Sequence, residues 1–239
     1  MKVLAVGGAG IVGTILRPAL EDAHELYVFD QRKVEALDGR SLVGDVSDDE
    51  AVRCAVAGMD AIVYLATGVH PDKQIGVHDV DRAFDVNLRG AYRFMREGLE
   101  AGVRRFIYAS SLSVYDDLYE SGSYVDESVP PNAWRPYGLS KRLAEKLCEA
   151  GAMRYPNAMI IALRLLKPVA KERLQGVQAR RADWPRYVTG PVDLRRLFLA
   201  ALACSRPGAH VVQASSDVAG TWFANTSATA LLGWHPIGE

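Results

Sequence analysis

The chain has 239 residues, 49% hydrophobic and 24% charged, with a formal net charge of −1; this fits one α/β domain or a domain with a small appendage, and it excludes a nucleic-acid binder driven by bulk charge. Cys54, Cys148 and Cys204, together with five scattered histidines, show neither metal-ligand nor disulfide spacing, so no metal is expected and a reducing, cytoplasmic setting is. The opening apolar strand leaves no room for a signal peptide, and no apolar run of membrane-spanning length follows.

In chain order, Lys2–Val6 reads as a strand and 11–22 as a helix, followed by strands at Glu25–Asp30 and 41–44. A helix over 48–57 is capped by Asp48 or Ser47. Residues 60–65 form a buried strand, 80–101 carry a long helical period, and 105–110 form another strand. Gly122, Pro130 and Pro131 mark 116–135 as a loop. A helix follows over 137–154, and a sixth strand over 158–164. Strand–helix alternation of this kind implies a doubly wound α/β fold, a parallel sheet covered on both faces. After Pro168 the pattern loosens into a helix at 193–204, a short strand at 210–213 and a short helix at 226–232. The expected division is a dinucleotide-binding domain over 1–168 and a small substrate-binding cap over 169–239, part of the same globule.

Gly7, Gly8, Gly10 and Gly13 lie between the first strand and the first helix. They fit G-x-G-x-x-G from Gly8 and G-x-x-G-x-x-G from Gly7. Such a turn lets the backbone of Gly7, Gly10, Ile11, Val12 and Gly13 approach a pyrophosphate at a helix N-terminus. Asp30 ends the second strand, 20 residues after Gly10. A carboxylate there accepts from ribose hydroxyls and repels a 2′-phosphate, which favours NAD; Arg32 and Lys33 could instead serve a phosphate. Asp45 and Val46 either flank the adenine or form a helix-capping loop.

Tyr137 stands four residues before Lys141 and 26 after Ser111. One helical turn places the phenol beside the ammonium, and a nearby positive charge favours the phenolate. Oxidising an alcohol removes a hydride and a proton together, and a tyrosine so tuned could take the proton near neutral pH.

The glycine run, Asp30, Gly44-Asp45-Val46, Tyr64-Leu65-Ala66, Asn87, Ala109-Ser110-Ser111 and Tyr137-Gly138-Leu139-Ser140-Lys141 occur in that order. This set resembles the extended short-chain dehydrogenase/reductases, the NAD-dependent epimerase/dehydratase family. The match is close over residues 1–168 and weaker through Val192-Asp193-Leu194 and Leu232-Gly233-Trp234-His235-Pro236. The resemblance implies a Rossmann sheet and catalysis by Ser111, Tyr137, Lys141 and Asn87. Tyr137 would be the general base, and Lys141 would lower its pKa and hold the nicotinamide ribose. Ser111 would bond the reacting oxygen, with Ser110 and Ser113 as neighbours easily confused with it. Asn87 would steady the helix beside the site and join a proton relay. Leu65, Ala66 and Thr67 would pass over the cofactor. A homodimer built on the helices near 80–101 and 137–154 is also implied.

Departures from the family pattern inform the substrate. Asp116 replaces a usual glycine, Lys167 stands where many members carry a substrate-touching asparagine, and only about 70 residues follow Pro168. The expected substrate is therefore a small sugar or sugar acid rather than a nucleotide sugar, as in the uronate dehydrogenases. From Lys167 to Arg186 there are six basic and two acidic residues. This segment is either a grip for an anionic substrate, with Arg173 and Arg180 foremost, or a solvated basic loop. Ser113, Thr67, His70, Val69 and Trp184 are further candidates for the substrate pocket. An epimerase or dehydratase is the alternative enzyme, and a non-catalytic dinucleotide-binding regulatory module is the alternative from another class.

Overall fold

A computed structural model describes residues 1–68, 77–116, 126–179 and 187–239. Seven strands form one parallel sheet: β1 (Lys2–Val6), β2 (Glu25–Asp30), β3 (Ser41–Val43), β4 (Ala61–Tyr64), β5 (Arg105–Ser111), β6 (Met159–Leu165) and β7 (Gly208–Ala214). Their spatial order is β3-β2-β1-β4-β5-β6-β7. The chain works outward from β1 on one side and then on the other. The order reverses between β1 and β4, and in open α/β sheets that crevice receives ligands at the carboxyl ends of the strands.

The central strands are buried on both faces, as continuous apolar runs require when helices cover both sides. One face packs Val3, Ala5, Val63, Ile107 and Ile161 beneath α1 (Ile11–Ala23) and α7 (Pro191–Ala203). The other packs Leu4, Ile62, Tyr64, Phe106 and Tyr108 beneath α2 (Asp49–Val56), α4 (Ala91–Glu100) and α5 (Pro136–Arg154). Asp48, not Ser47, caps α2, accepting from the amides of Glu50 and Ala51.

Three elements differ from the sequence expectation. The long helix after β4 begins as α3 (Val77–Phe84), passes through a π turn at Asp85–Gly90 and continues as α4. The basic segment contains a helix, α6 (Lys171–Gln178), of which only Leu174 is buried. It meets Val169 and Val188 in a small satellite core. The residues after Pro168 also contribute to the main body. Strand β7 pairs with β6 along its whole length, α7 packs on α1, and α8 (Thr226–Leu232) packs on β7 and α7. Among the described residues, no helix is long and apolar enough to cross a membrane.

Candidate active site

The glycine turn closes the carboxyl end of β1. Gly7 adopts φ +78°, and a Cβ there would lie 2.6 Å from the backbone of Ala66. A Cβ on Gly13 would lie 2.3 Å from the carbonyl oxygen of Gly8. Only glycine lets the loop after β4 and the start of α1 approach so closely. Gly10 caps α1 without a side-chain hydrogen bond, so the first-turn amides of Ile11 and Val12 remain available to an anion.

Asp30 sits beside this turn. Its carboxylate accepts from the amide of Ala9 at 3.0 Å and from that of Arg32 at 3.1 Å. The Arg32 guanidinium donates to the carbonyl of Ala9 at 2.6 Å and lies 3.7 Å from Asp30. Asp45 anchors the next loop, accepting from Gln31 Nε2 at 2.6 Å and from the amide and hydroxyl of Ser47. The Ser47 bonds hold its pKa below the ordinary value. A cavity of about 440 Å³ opens there, lined by Gln31, Asp45, Val46, Ser47, Arg82 and Val86 among others. The glycine cradle, the free amides and the Asp30 carboxylate fit a dinucleotide's pyrophosphate and ribose, and this cavity fits its base.

Across the sheet, Ser111 ends β5 and caps the short 3₁₀ turn Leu112–Val114. Its hydroxyl lies 3.1 Å from that of Ser113 and bonds the Tyr137 phenol. Pro136 starts α5, which suits its fixed φ, and Tyr137 follows at once, half-buried. Burial raises the Tyr137 pKa, and the Ser111 bond opposes it. Lys141 is 2% exposed. Its ammonium donates to the carbonyl of Ala109 at 2.7 Å and lies 4.7 Å from the Tyr108 ring centroid and 5.8 Å from that of Tyr137. Burial lowers its pKa to about 7, and Glu145 acts in the other direction. The expected depression of the tyrosine by the lysine is thus absent within the chain itself. The ammonium is desolvated and committed to a carbonyl, and burial dominates the phenol.

Asn87 is completely buried. Its Oδ1 accepts from the amide of Gly68 at 3.2 Å, and its Nδ2 donates to Ser140 Oγ at 3.0 Å. The Ser140 hydroxyl donates in turn to the carbonyl of Tyr137. One hydrogen-bonded chain therefore runs from the loop after β4, which carries Leu65, Ala66 and Thr67, to the start of α5. Arg173 lies exposed on α6, past the carboxyl end of β6. Lys167, between β6 and α6, adopts φ 34°, strained for any residue other than glycine. His70 and Arg180, with Val69 and Trp184, lie outside the described residues.

Two residues beneath the site escaped the sequence reading. Glu145, 3% exposed, accepts from Arg164 Nε at 2.9 Å, from Arg164 Nη2 at 2.8 Å and from Ser110 Oγ at 2.7 Å. Arg164 also donates to the hydroxyl of Tyr115 at 2.6 Å, and that hydroxyl donates to the carbonyl of Val129 at 3.0 Å. The signals were present: Glu145 continues the Tyr137–Lys141 stripe by one more turn, and Arg164 interrupts an otherwise apolar strand.

The model of the NAD dependent epimerase/dehydratase family matches residues 3–189. The chain belongs to this family. Among family members it is similar to an L-arabinose 1-dehydrogenase (NAD(P)(+)) of Haloferax volcanii, 26% identical over 254 residues, spanning 98% of this chain and 96% of that protein. It is also similar to a UDP-glucose 4-epimerase of Neisseria meningitidis, 25% identical over 185 residues, spanning 70% of this chain and 53% of that protein. The crystal structure of a glucuronic acid dehydrogenase from Chromohalobacter salexigens superposes with a TM-score of 0.81 at 25% identity, spanning 98% of this chain and 84% of that one. The chain is accordingly an NAD-dependent oxidoreductase of this family with a Rossmann fold.

Proposed function

We propose that the protein oxidises a secondary hydroxyl of a small sugar or sugar acid and releases the product. The observation that carries this reading is the convergence of Ser111, Tyr137 and Lys141 where β5 ends and α5 begins, tied through Ser140 and Asn87 to the loop against the glycine turn. The dehydrogenase relative aligns along nearly its whole length, whereas the epimerase aligns along about half.

Gly7, Gly10, Ile11, Val12 and Gly13 would hold the NAD pyrophosphate, Asp30 a ribose, and Asp45 and Val46 the adenine. Leu65 and Ala66 would lie along the cofactor. NAD supplies the hydride acceptor. Tyr137 Oη takes the hydroxyl proton while Ser111 Oγ holds the reacting oxygen, a division of labour that needs both groups within hydrogen-bond reach. Tyr137 enters the step as the phenolate, and Lys141 in its charged form, which Glu145 favours, stabilises that phenolate before it takes the proton. Arg173, Lys167 and the basic segment around them favour an anionic substrate, because guanidinium and ammonium groups there would pair with a carboxylate. Ser113, Thr67, His70 and Arg180 complete the proposed substrate contacts.

We also infer a homodimer. Helices α4 and α5 lie side by side, and Tyr92 on α4 and Leu143 and Met153 on α5 are exposed.

The test is NADH formation at 340 nm with a panel of sugars and sugar acids. Steady NADH release supports the dehydrogenase, and sugar interconversion without it supports an epimerase. Silence across the panel supports a binding module. Tyr137→Phe should lower kcat by roughly 10²–10⁴-fold while leaving NAD binding intact by calorimetry. An active variant would overturn the assignment.

A further inference from the structure

Two buried tyrosines have hydroxyls that the chemistry above does not use. Tyr64 ends β4, Tyr108 lies in β5, and both are 0% exposed. They are register partners, and their rings stack at 5.9 Å and 20°. A buried phenol needs an acceptor. Tyr64 Oη donates to the carbonyl of Val86 at 2.6 Å, and Tyr108 Oη to the carbonyl of Asn87 at 3.0 Å. Those carbonyls are consecutive and lie inside the π turn. A π turn departs from the i+4 ladder, and its buried carbonyls draw on partners from outside the helix. Gly90 makes the room, since a Cβ there would lie 2.5 Å from Tyr64 Oη.

We propose that Tyr64 and Tyr108 are positioning residues for the reaction. Their hydroxyls fix the π turn, and the turn fixes Asn87 between Gly68 and Ser140 at the first turn of α5. Asn87 holds Gly68 and Ser140 through its side-chain amide, while Tyr108 anchors its main-chain carbonyl. The proposal rests on the reading of Tyr137 as the acid–base residue.

Phenylalanine at either position keeps the ring and the stack, and at 108 also the face presented to Lys141, so only the hydroxyl is lost. Tyr108→Phe should lower kcat about tenfold, the scale of one buried hydrogen bond, with the KM for NAD within about twofold. Tyr108→Phe combined with Asn87→Ala should be no slower than Asn87→Ala alone, because the two act through one path. Wild-type kcat in both Tyr108→Phe and Tyr64→Phe, or additive losses in the double variant, would overturn the proposal. Hydrogen exchange on the same proteins decides it independently of turnover. Exchange should quicken at residues 85–90 and at Gly68 in Tyr108→Phe, and unchanged exchange there also refutes it. An active Tyr137→Phe enzyme, or silence across the substrate panel, would instead refute the acid–base reading while the exchange result still stands.

Discussion

Lys141 carries the sharpest electrostatic consequence at the scale of single residues. Burial lowers its pKa to about 7 from the ordinary 10.5. Between those values the unfolded chain holds a proton that the native chain has lost, so stability should rise with pH across that window. Below pH 7 both states are protonated and the full cost of burying the ammonium is felt. Each pH unit within the window adds up to about 1.4 kcal/mol. Lys141→Met should therefore unfold with a urea midpoint nearly flat between pH 7 and 10, while the wild-type midpoint climbs, both measured without NAD. Parallel midpoints would show that the ammonium is better solvated than its 2% exposure implies. Glu145, one turn further along α5, works against the burial and favours the charged form.

The helix α5 and the strand β6 are joined by the Glu145–Arg164 pair, with side chains 4% and 5% exposed. Removing one partner of such a pair leaves a buried charge without compensation, which costs about 3–5 kcal/mol. Glu145→Gln should lose stability on that scale in urea denaturation, and adding Arg164→Met should recover most of it. A neutral Glu145→Gln would mean that water reaches the guanidinium. Legibility from sequence varied by element. Central strands such as β1 and β4 were readable because burial on both faces demands unbroken apolar runs. The turn at Gly7–Gly13 was readable because a close backbone approach demands glycine. The π turn was not, since inserting one residue into a helical ladder barely disturbs the apolar period around Asn87. Helix α6 was missed because KERLQGVQ buries only Leu174 and so carries almost no amphipathic signal. Ser111, Tyr137 and Lys141 could be grouped from spacing. Tyr64 and Tyr108 read simply as strand aromatics, because nothing in a strand pattern reveals where a hydroxyl points.

For the whole molecule, the exposed face of α5 sets the expected assembly. Leu143, Lys146, Ala150 and Met153 fall on one side of the helix and are all exposed. Sedimentation should give twice the 26.1 kDa chain mass, and Leu143→Asp with Met153→Asp should shift the species toward one chain mass. A wild-type protein that sediments as a single chain at micromolar concentration would remove the dimer from the account. Long-range contacts have a further bearing. Glu127, just upstream of α5, accepts from the amide of Gln213 on β7 and from the hydroxyl of Ser227 on α8. Gln213 is 86 residues further along the chain. On a ribosome adding roughly 5–20 residues per second, that separation is about 4–17 s of synthesis. The nascent chain can pair β1 to β6 during that interval, but the segment beside Tyr115 and Val129 waits for Gln213 to be made. The segment that carries Glu127 is thus among the last parts of the molecule to be secured, and truncated nascent chains would carry a formed sheet with that segment still unclasped.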